Sequence, residues 1–214
     1  DVEMAISHVV RGEDHISNTP RQLVIYEALG VTPPRFAHLP MILGPDRSKL
    51  SKRHGATSVS EYISTGYLPE ALLNYLALLG WSSPDGQELM SRADIVRQFS
   101  LDRVSKSGAI FDIAKLNWMN GQYIRKLSPE ALFAVLTPYL SPETVAWLSV
   151  FDVVDQTRIL YSVRDNLDVL SDINGYVAVY GFDAMTYASK LAETQVGDTD
   201  RDVVSVLLAW LSAQ

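Results

Sequence analysis

Residues 4–11, Met4-Ala5-Ile6-Ser7-His8-Val9-Val10-Arg11, begin the segment that decides the fold. The run is apolar and ends in a charge, which predicts a short strand covered on both faces. A helix is expected next, with Thr19 as a possible N-cap and Pro20 at its first position. Residues 36–43 predict a second buried strand. Strand, helix and strand in this order predict a parallel sheet of the α/β class.

From Ser58 onward, helical signals dominate. Pro69 begins an apolar helix over 70–79, and Gly80 ends it. Two later segments, Ser128-Pro129-Glu130 and Ser141-Pro142-Glu143, each combine an N-cap serine, a proline at the first helical position and an acid in the first turn. Further helices are predicted at 93–99, 112–119, 129–137, 142–150, 153–170, 183–193 and 200–212.

Composition narrows the class of protein. The 214 residues are 47% hydrophobic and 20% charged, as expected for a globular protein, and no apolar run is long enough for a membrane span. The absence of cysteine excludes disulfides and thiolate metal sites, and the expected compartment is the cytoplasm.

Charge is distributed unevenly along the chain. The net charge is −7, yet residues 1–127 hold 14 Lys/Arg against 13 Asp/Glu, whereas residues 128–214 hold 4 against 12. A polyanion such as a nucleic acid would therefore be expected to bind residues 1–127 rather than the acidic residues 128–214. The change in composition places a predicted domain boundary near Leu127.

The most informative feature is the basic loop Lys49-Leu50-Ser51-Lys52-Arg53, which follows the predicted α/β segment. Its three cations suit a polyphosphate, because lysines on a loop can follow negative charge from ATP to the leaving pyrophosphate. The serine hydroxyl and backbone N–H groups can bind the remaining oxygens. From composition alone, a solvated surface loop is the favoured explanation of the cluster, because clusters of Lys and Arg are common.

Several ordered motifs around this loop resemble the second half of the glutamyl-tRNA synthetase catalytic domain. The loop itself is similar to that family's version of the class I Lys-Met-Ser-Lys-Ser signature. The resemblance is dense over residues 1–127 and sparse beyond them. The other matching motifs are Val10-Arg11-Gly12-Glu13-Asp14-His15, Ser17-Asn18-Thr19-Pro20, Ala37-His38-Leu39-Pro40, the stretch 66–76, Phe111-Asp112 and the stretch 118–125.

The resemblance implies a division into three segments. Residues 1–57 would be the second half of a Rossmann-like catalytic domain with the basic loop, 58–127 a helical connector that contacts the tRNA stem, and 128–214 part of a helical anticodon-side domain. The family's His-x-Gly-His signature has no counterpart among the four histidines. The chain is therefore expected to be an internal fragment that does not form adenylate by itself.

The resemblance also assigns roles to residues near the ATP. Lys52 would contact the α-phosphate and pyrophosphate, Lys49 would assist, and Ser51 and Arg53 would support them. Arg11 would bind the substrate glutamate, since a guanidinium fits a carboxylate; its alternative is a surface salt bridge to Glu13 or Asp14. Residues expected along the ATP are Asp14 and His15, which could instead cap the following helix, and Met41 and Ile42, whose main chain would contact adenine.

Contacts with tRNA are expected elsewhere. Arg103, Lys106 and Arg125 are candidates for phosphate contacts. Trp118 is interpreted mainly as core, and Trp81, Trp147 and Trp210 are assigned to packing, because a buried indole contributes much apolar area. His38 is interpreted as a structural histidine at a strand end.

The function implied is ATP-dependent charging of tRNA with glutamate by the parent enzyme, with ATP, Mg²⁺, L-glutamate and tRNA(Glu) as partners. Mg²⁺ would arrive with ATP, because the sequence offers no dedicated cluster of metal ligands; the protein is expected to be monomeric.

A paralogue that glutamylates a modified tRNA base is an alternative, although it generally lacks a helical anticodon-side domain. A glutaminyl enzyme is expected to have strands downstream. A non-catalytic tRNA-binding module is the alternative from another class.

Overall fold

The computed structural model describes residues 1–55 and 58–180, and the chain divides into two compact units. The sheet unit comprises Asp1–Ser58 and Leu72–Leu116. The helical unit comprises Val59–Ala71 and the described residues from Asn117 onward. These units divide the chain differently from the three segments expected from the sequence, and that division into domains stays a prediction.

The strand–helix–strand order of the first part and the predominance of helices from Val59 onward agree with the prediction, whereas the strand at Ala109–Ile110 was not predicted. The strands are β1 (His8–Gly12), β2 (Arg35–Leu39), β3 (Ile42–Leu43) and β4 (Ala109–Ile110). The α-helices within the described residues are α1 (Thr19–Ala28), α2 (Val59–Thr65), α3 (Pro69–Leu78), α4 (Arg92–Gln98), α5 (Ile113–Arg125), α6 (Pro129–Leu136), α7 (Pro142–Leu148), α8 (Val153–Ser162) and α9 (Ile173–Val177). No helix among the described residues is both long and apolar enough to cross a membrane.

The sheet unit contains the predicted strand–helix–strand arrangement. Strand β1 pairs in parallel with β2, with Arg11 opposite His38, and α1 joins the two strands. Strand β3 pairs in parallel with β4. The prediction of a parallel pair of strands is therefore confirmed for β1 and β2. The single strand predicted over 36–43 is divided into β2 and β3, and β4 was not predicted. The interpretation as half of a Rossmann-like domain stays a prediction.

Burial of the strands differs from the prediction. None of the residues in β1 is buried, Met4 is 78% exposed, and β2 is at most partly buried. The expectation of strands covered on both faces is therefore wrong for the described residues. Each described sheet has two strands. Side chains of a strand point to the two faces of its sheet, and the described elements do not bury either face of β1 and β2.

A small core lies elsewhere in the sheet unit. It is formed by Trp81, Met90 and Ile95, and the packing role predicted for Trp81 is confirmed. The buried amide of Asn74 accepts a hydrogen bond from the Met90 N–H at 2.8 Å, which fixes this loop against α3. Phe111 N–H donates to the Leu43 carbonyl at 2.8 Å and extends the pairing between β3 and β4.

The helical unit confirms the predicted helix starts. The hydroxyl of Ser128 accepts a hydrogen bond from the Ala131 N–H, and that of Ser141 accepts one from the Thr144 N–H, each at 3.2 Å. Proline occupies the first turn of both helices. Each serine therefore satisfies one of the N–H groups that lack a partner inside the helix.

Helix lengths differ from the prediction in two places. Helix α5 continues to Arg125 instead of ending at 119, and α8 ends at Ser162 instead of continuing to 170. Residues beyond Ser162 form short 3₁₀ helices before α9. The helices predicted at 183–193 and 200–212, and Trp210, lie outside the described residues.

A continuous apolar core fills the helical unit. Its buried members include Leu132, Leu136, Leu160 and Ile173, each at most 1% exposed. Trp147 packs against this cluster, as predicted. Trp118, interpreted as core, is 40% exposed, because it does not lie on the buried face of α5 that carries Met119.

Candidate functional site

Arg11 lies near the carboxyl end of β1, where its side chain is held by neutral groups. Its Nη2 donates to Thr19 Oγ1 at 2.9 Å and to Gln22 Oε1 at 2.7 Å. Its Nε donates to His38 Nε2 at 3.3 Å, and the guanidinium lies 5.3 Å from the ring centre of Phe36.

The positive charge of Arg11 is not neutralised by these contacts and stays available to bind an anion. Among the described residues, no carboxylate lies within salt-bridge distance of Arg11, so the alternative pairing with Glu13 or Asp14 is not formed. The neutral acceptors orient the guanidinium without cancelling its charge. Such a group can bind an anion through its remaining donors.

Thr19 is used differently from the prediction. It is the first residue of α1, not its N-cap, and Asn18 at the cap position makes no capping hydrogen bond through its side chain. The Thr19 hydroxyl instead contacts Arg11, the His15 carbonyl and His38 Nε2. The prediction of Thr19 as the N-cap is wrong, because its hydroxyl contacts Arg11 of β1 and His38 of β2 instead of a backbone N–H of α1.

A 3₁₀ helix, Glu13–Asn18, follows β1 and carries two of the residues expected near ATP. Asp14 Oδ2 forms an ion pair with Lys49 Nζ at 2.9 Å. The hydrogen bond from Lys49 is the main cause that lowers the pKa of Asp14. His15 lies within 3.3 Å of the Asn18 amide and is exposed. Neither side chain caps α1, since the contacts of Asp14 and His15 are directed elsewhere.

The main chain at Met41 and Ile42 already has partners within the protein. Met41 N–H donates to Glu13 Oε1 at 3.1 Å, and the Ile42 carbonyl accepts from Leu50 N–H at 2.9 Å. A base could use the Met41 donor only after the Glu13 carboxylate moves away. The Glu13 carboxylate would therefore compete with adenine for the Met41 N–H.

The basic loop is folded back on β3. Leu43 and Lys49 form an antiparallel bridge, and Ser48 carbonyl accepts from Gly44 N–H at 2.8 Å. Arg47 has a φ of 60°, a left-handed conformation that closes this tight turn. Lys52–His54 then form a 3₁₀ helix. The loop therefore has a defined hydrogen-bonded structure.

Asp46 is the centre of the loop's polar contacts. Its carboxylate accepts hydrogen bonds from the Ser48 N–H and hydroxyl at 3.0 and 2.7 Å, and pairs with Arg53 Nη2 at 2.9 Å. His54 Nε2 lies 3.3 Å from the same carboxylate. The hydrogen bonds from Ser48, helped by His54 and the charge of Arg53, lower the pKa of Asp46 to about 2.

The three cations of the loop are therefore not equivalent. Lys49 is paired with Asp14 and Arg53 with Asp46. Lys52 has neither a carboxylate partner nor a side-chain hydrogen bond among the described residues, and it is exposed. Lys52 is thus the loop cation whose charge is most available to an anion.

The candidate tRNA contacts fall in both units. Arg103 ends an exposed 3₁₀ helix in the sheet unit, and Lys106 lines a cavity of about 410 Å³ together with Glu13 and His38. Arg125 belongs to the helical unit, where its Nη1 donates to the Asp165 carbonyl at 3.1 Å. Within the described residues, no group of three or more His, Asp and Glu side chains is placed to hold a metal ion.

Sequence reasoning missed the residues that hold the others in place. Gln22 binds Arg11, while Asp46 and His54 organise the loop. Asp46 and His54 flank the basic motif closely, and a polar residue on each side of a cation cluster was the available signal. Gln22 had none, because its role depends on the distance between α1 and the end of β1 in space.

Comparison with known proteins places this geometry in a family. Residues 1–118 match the family model described as tRNA synthetases class I (E and Q), catalytic domain. The chain is 47% identical over 214 residues to a protein of Heliobacterium modesticaldum named Glutamate--tRNA ligase, a match that covers 99% of this chain and 42% of that protein. It is 54% identical over 179 residues to Glutamate--tRNA ligase 1 of Syntrophomonas wolfei, covering 82% and 36%.

A solved structure shares the fold. The glutamate-tRNA synthetase from Elizabethkingia anophelis superposes with a TM-score of 0.74 at 32% identity, covering 89% of this chain and 42% of that one. A second, from Elizabethkingia meningosepticum and in complex with its amino acid, has the same TM-score and identity. The chain spans about two fifths of the length of these relatives. With more than half of its residues matched by the family model, the chain belongs to the class I tRNA synthetases of the glutamate and glutamine type.

Proposed function

We propose that this chain is part of a glutamate–tRNA ligase, which activates glutamate with ATP and transfers it to tRNA(Glu). The observation that carries the proposal is the match along nearly the whole chain to proteins named for this activity. Arg11 and Lys52 support the proposal, because each is a cation without a carboxylate partner among the described residues and could bind an anionic substrate. The cytoplasm and a monomeric state are proposed on the same basis.

In the proposed reaction, the α-carboxylate of glutamate attacks the α-phosphorus of ATP. The bond to the β-phosphate oxygen breaks, and glutamyl-adenylate and pyrophosphate form. A ribose hydroxyl of tRNA then attacks the acyl carbon, and AMP leaves. The enzyme's contribution is mainly positioning and stabilisation of charge. Mg²⁺ would enter with ATP as part of that substrate.

Different residues of this chain are proposed to bind the two anionic substrates, glutamate and ATP. Arg11, oriented by Thr19 and Gln22, would bind a carboxylate of glutamate. Lys52 would contact the α-phosphate and then the pyrophosphate, and Ser51 and Arg53 would support it. Lys49 can join them once phosphate replaces Asp14 as its partner. Asp14, His15 and the main chain of Met41 and Ile42 would lie along the nucleoside, while Arg103, Lys106 and Arg125 would contact tRNA.

Replacement of Lys52 by alanine in the full-length protein that carries this sequence tests the main step. Negative charge develops on the α-phosphoryl oxygens and pyrophosphate, so Lys52 interacts more strongly in the transition state than in the ground state. Loss of one such contact costs about 2.7–4 kcal/mol, or about a hundred- to thousandfold in the rate of adenylate formation. Pre-steady-state adenylate formation, with glutamate and ATP titrated separately, measures this rate.

Arg11→Ala provides the contrast in the same assay. Arg11 is proposed to bind the side-chain carboxylate of glutamate, which does not react, so loss of Arg11 should mainly raise the apparent KM for glutamate. Arg97→Ala is the matched control, because Arg97 is an exposed cation on α4 that pairs with Asp94 and has no role in the proposed reaction. A reversed pattern, with Lys52→Ala affecting only KM and Arg11→Ala only the chemical rate, would contradict the assigned roles.

A further inference from the structure

We propose that His54 is a positioning residue that sets the conformation in which Ser51 and Lys52 meet the phosphates, by linking the Ser51 N–H to Asp46. The inference rests on the proposed function, since it concerns the loop expected to bind ATP. His54 does not contact a substrate in this proposal. It acts through the backbone at Ser51 and through the carboxylate of Asp46.

The hydrogen bonds define the tautomer of the His54 ring. Ser51 N–H donates to His54 Nδ1 at 3.0 Å. A backbone N–H is always a donor, so Nδ1 must be unprotonated and the proton of the neutral ring lies on Nε2. That proton faces Asp46 Oδ1 at 3.3 Å. Arg53 Nε–H is also always a donor and lies 3.2 Å from Nε2, so it competes with this assignment. We place the proton on Nε2 because the Ser51 contact is the shorter of the two and the Arg53 guanidinium has Asp46 and Ser48 as other partners, through Nη2.

The ring is fixed by its surroundings as well as by these bonds. The His54 side chain is 10% exposed, although it belongs to a loop whose cations are largely exposed. Its ring atoms lie 2.9–3.0 Å from the position that a Cβ on Gly44 would occupy. Glycine at this position therefore allows the ring to pack flat against the start of the turn, and a larger residue would displace it.

The consequence falls on the residues that would bind phosphate. Ser51 precedes the 3₁₀ helix that contains Lys52, and His54 N–H donates back to the Ser51 carbonyl at 2.8 Å. Ser51 and His54 thus hold each other through two hydrogen bonds, with Lys52 between them. The direction in which Lys52 leaves the backbone is determined by this closed turn and by its attachment to Asp46.

Two variants separate the two ends of the link. His54→Asn keeps an acceptor near the Nδ1 position but loses the donor to Asp46, and His54→Gln keeps a donor near the Nε2 position but loses the acceptor for Ser51. His8→Gln is the control, because His8 is exposed and bonds only the adjacent Ser7 side chain. The chain and its variants are compared by hydrogen exchange of the Ser51 amide, by affinity for inorganic pyrophosphate in calorimetry, and by thermal midpoint.

In His54→Gln, Ser51 should exchange about fivefold faster, the equivalent of one net hydrogen bond, and pyrophosphate should bind about fivefold more weakly. In His54→Asn, Ser51 exchange should stay within about twofold of the original chain. Unchanged exchange and affinity in His54→Gln would overturn the proposal. Equal losses in both variants, accompanied by equal falls in thermal midpoint, would also overturn it, since they indicate a general role in folding.

Failure of the proposed function has a different signature. If the unchanged chain and all variants bind no pyrophosphate, the phosphate role of the loop is contradicted. Ser51 exchange that still distinguishes His54→Gln from His54→Asn would then support the link from His54 to the backbone independently. A uniform Ser51 exchange rate across all forms would reject that link as well.

Discussion

The helical unit and the sheet unit differ in what their apolar side chains contact. In the helical unit, side chains such as Leu136 and Leu160 are fully buried in one core. In the sheet unit, Ile25 on α1 and Leu29 directly after it are 58% and 64% exposed, whereas the polar side chains near the strand ends are bonded to one another. Core packing is therefore concentrated in one unit and the candidate chemistry in the other.

The largest expected effect comes from truncating one buried leucine of the helical unit. Leu160→Ala removes a side chain with 0% exposure and should lower the free energy of unfolding by about 2.7–5 kcal/mol, through lost transfer energy and the cavity left behind. Urea unfolding followed by far-ultraviolet circular dichroism measures the change.

Ile25→Ala is the matched variant in the sheet unit. Because Ile25 is mostly exposed, its truncation should change the free energy of unfolding by less than about 0.5 kcal/mol. Similar losses for Leu160→Ala and Ile25→Ala would remove the contrast between the units and show that α1 packs more tightly than its exposure indicates.

A smaller effect is expected at the start of α6. Ser128→Ala removes the acceptor for the Ala131 N–H and should cost about 1 kcal/mol in the same unfolding measurement. Ser128→Asp should retain most of the stability, since aspartate is also a good N-cap. If aspartate were as destabilising as alanine, the hydroxyl would matter for some reason other than capping.

The smallest expected effect is a local change in the sheet unit at low pH. The pKa of Asp46 is lowered from 3.8 to about 2, so its ionised form favours the folded loop. The contribution is fully present above the unfolded pKa and is lost as pH falls through about 2. Carboxyl ¹³C chemical shifts should show Asp46 titrating in this range while the bonds from Ser48 and the pair with Arg53 are lost.

Asp46→Asn is the test of that interpretation. It removes the titrating charge that faces Arg53 and His54, so the low-pH transition near Ser48 should disappear from amide spectra. Titration of Asp46 near its ordinary value of 3.8 would instead show that its hydrogen bonds are not maintained in solution.

Features encoded by adjacent residues were predictable from the sequence. The caps at Ser128 and Ser141 follow from side chains three positions from the N–H groups that they bind. The parallel order of β1 and β2 follows from the helix between them. For the same reason, the basic loop could be located from its composition alone, before any relative was known.

Features that depend on distant residues were not predictable in this way. Thr19 has the local signature of an N-cap, yet its hydroxyl accepts a hydrogen bond from Arg11, eight positions earlier in the chain. The end of α5 was misplaced although Asn120 and Gly121, residue types that commonly end helices, follow the predicted end, because the helix continues through both to Arg125. No proline or glycine follows Ser162 to mark the end of α8. Burial of β1 was overestimated because an apolar run does not specify what covers it.

The setting of Arg11 has a consequence for the entropy of ligand binding. An arginine side chain can lose about 2 kcal/mol of rotamer freedom when it is immobilised. Here Thr19, Gln22 and His38 restrict the guanidinium through three hydrogen bonds before any anion arrives. Most of that ordering therefore accompanies folding, and a carboxylate that docks on Arg11 meets a donor whose orientation is already set.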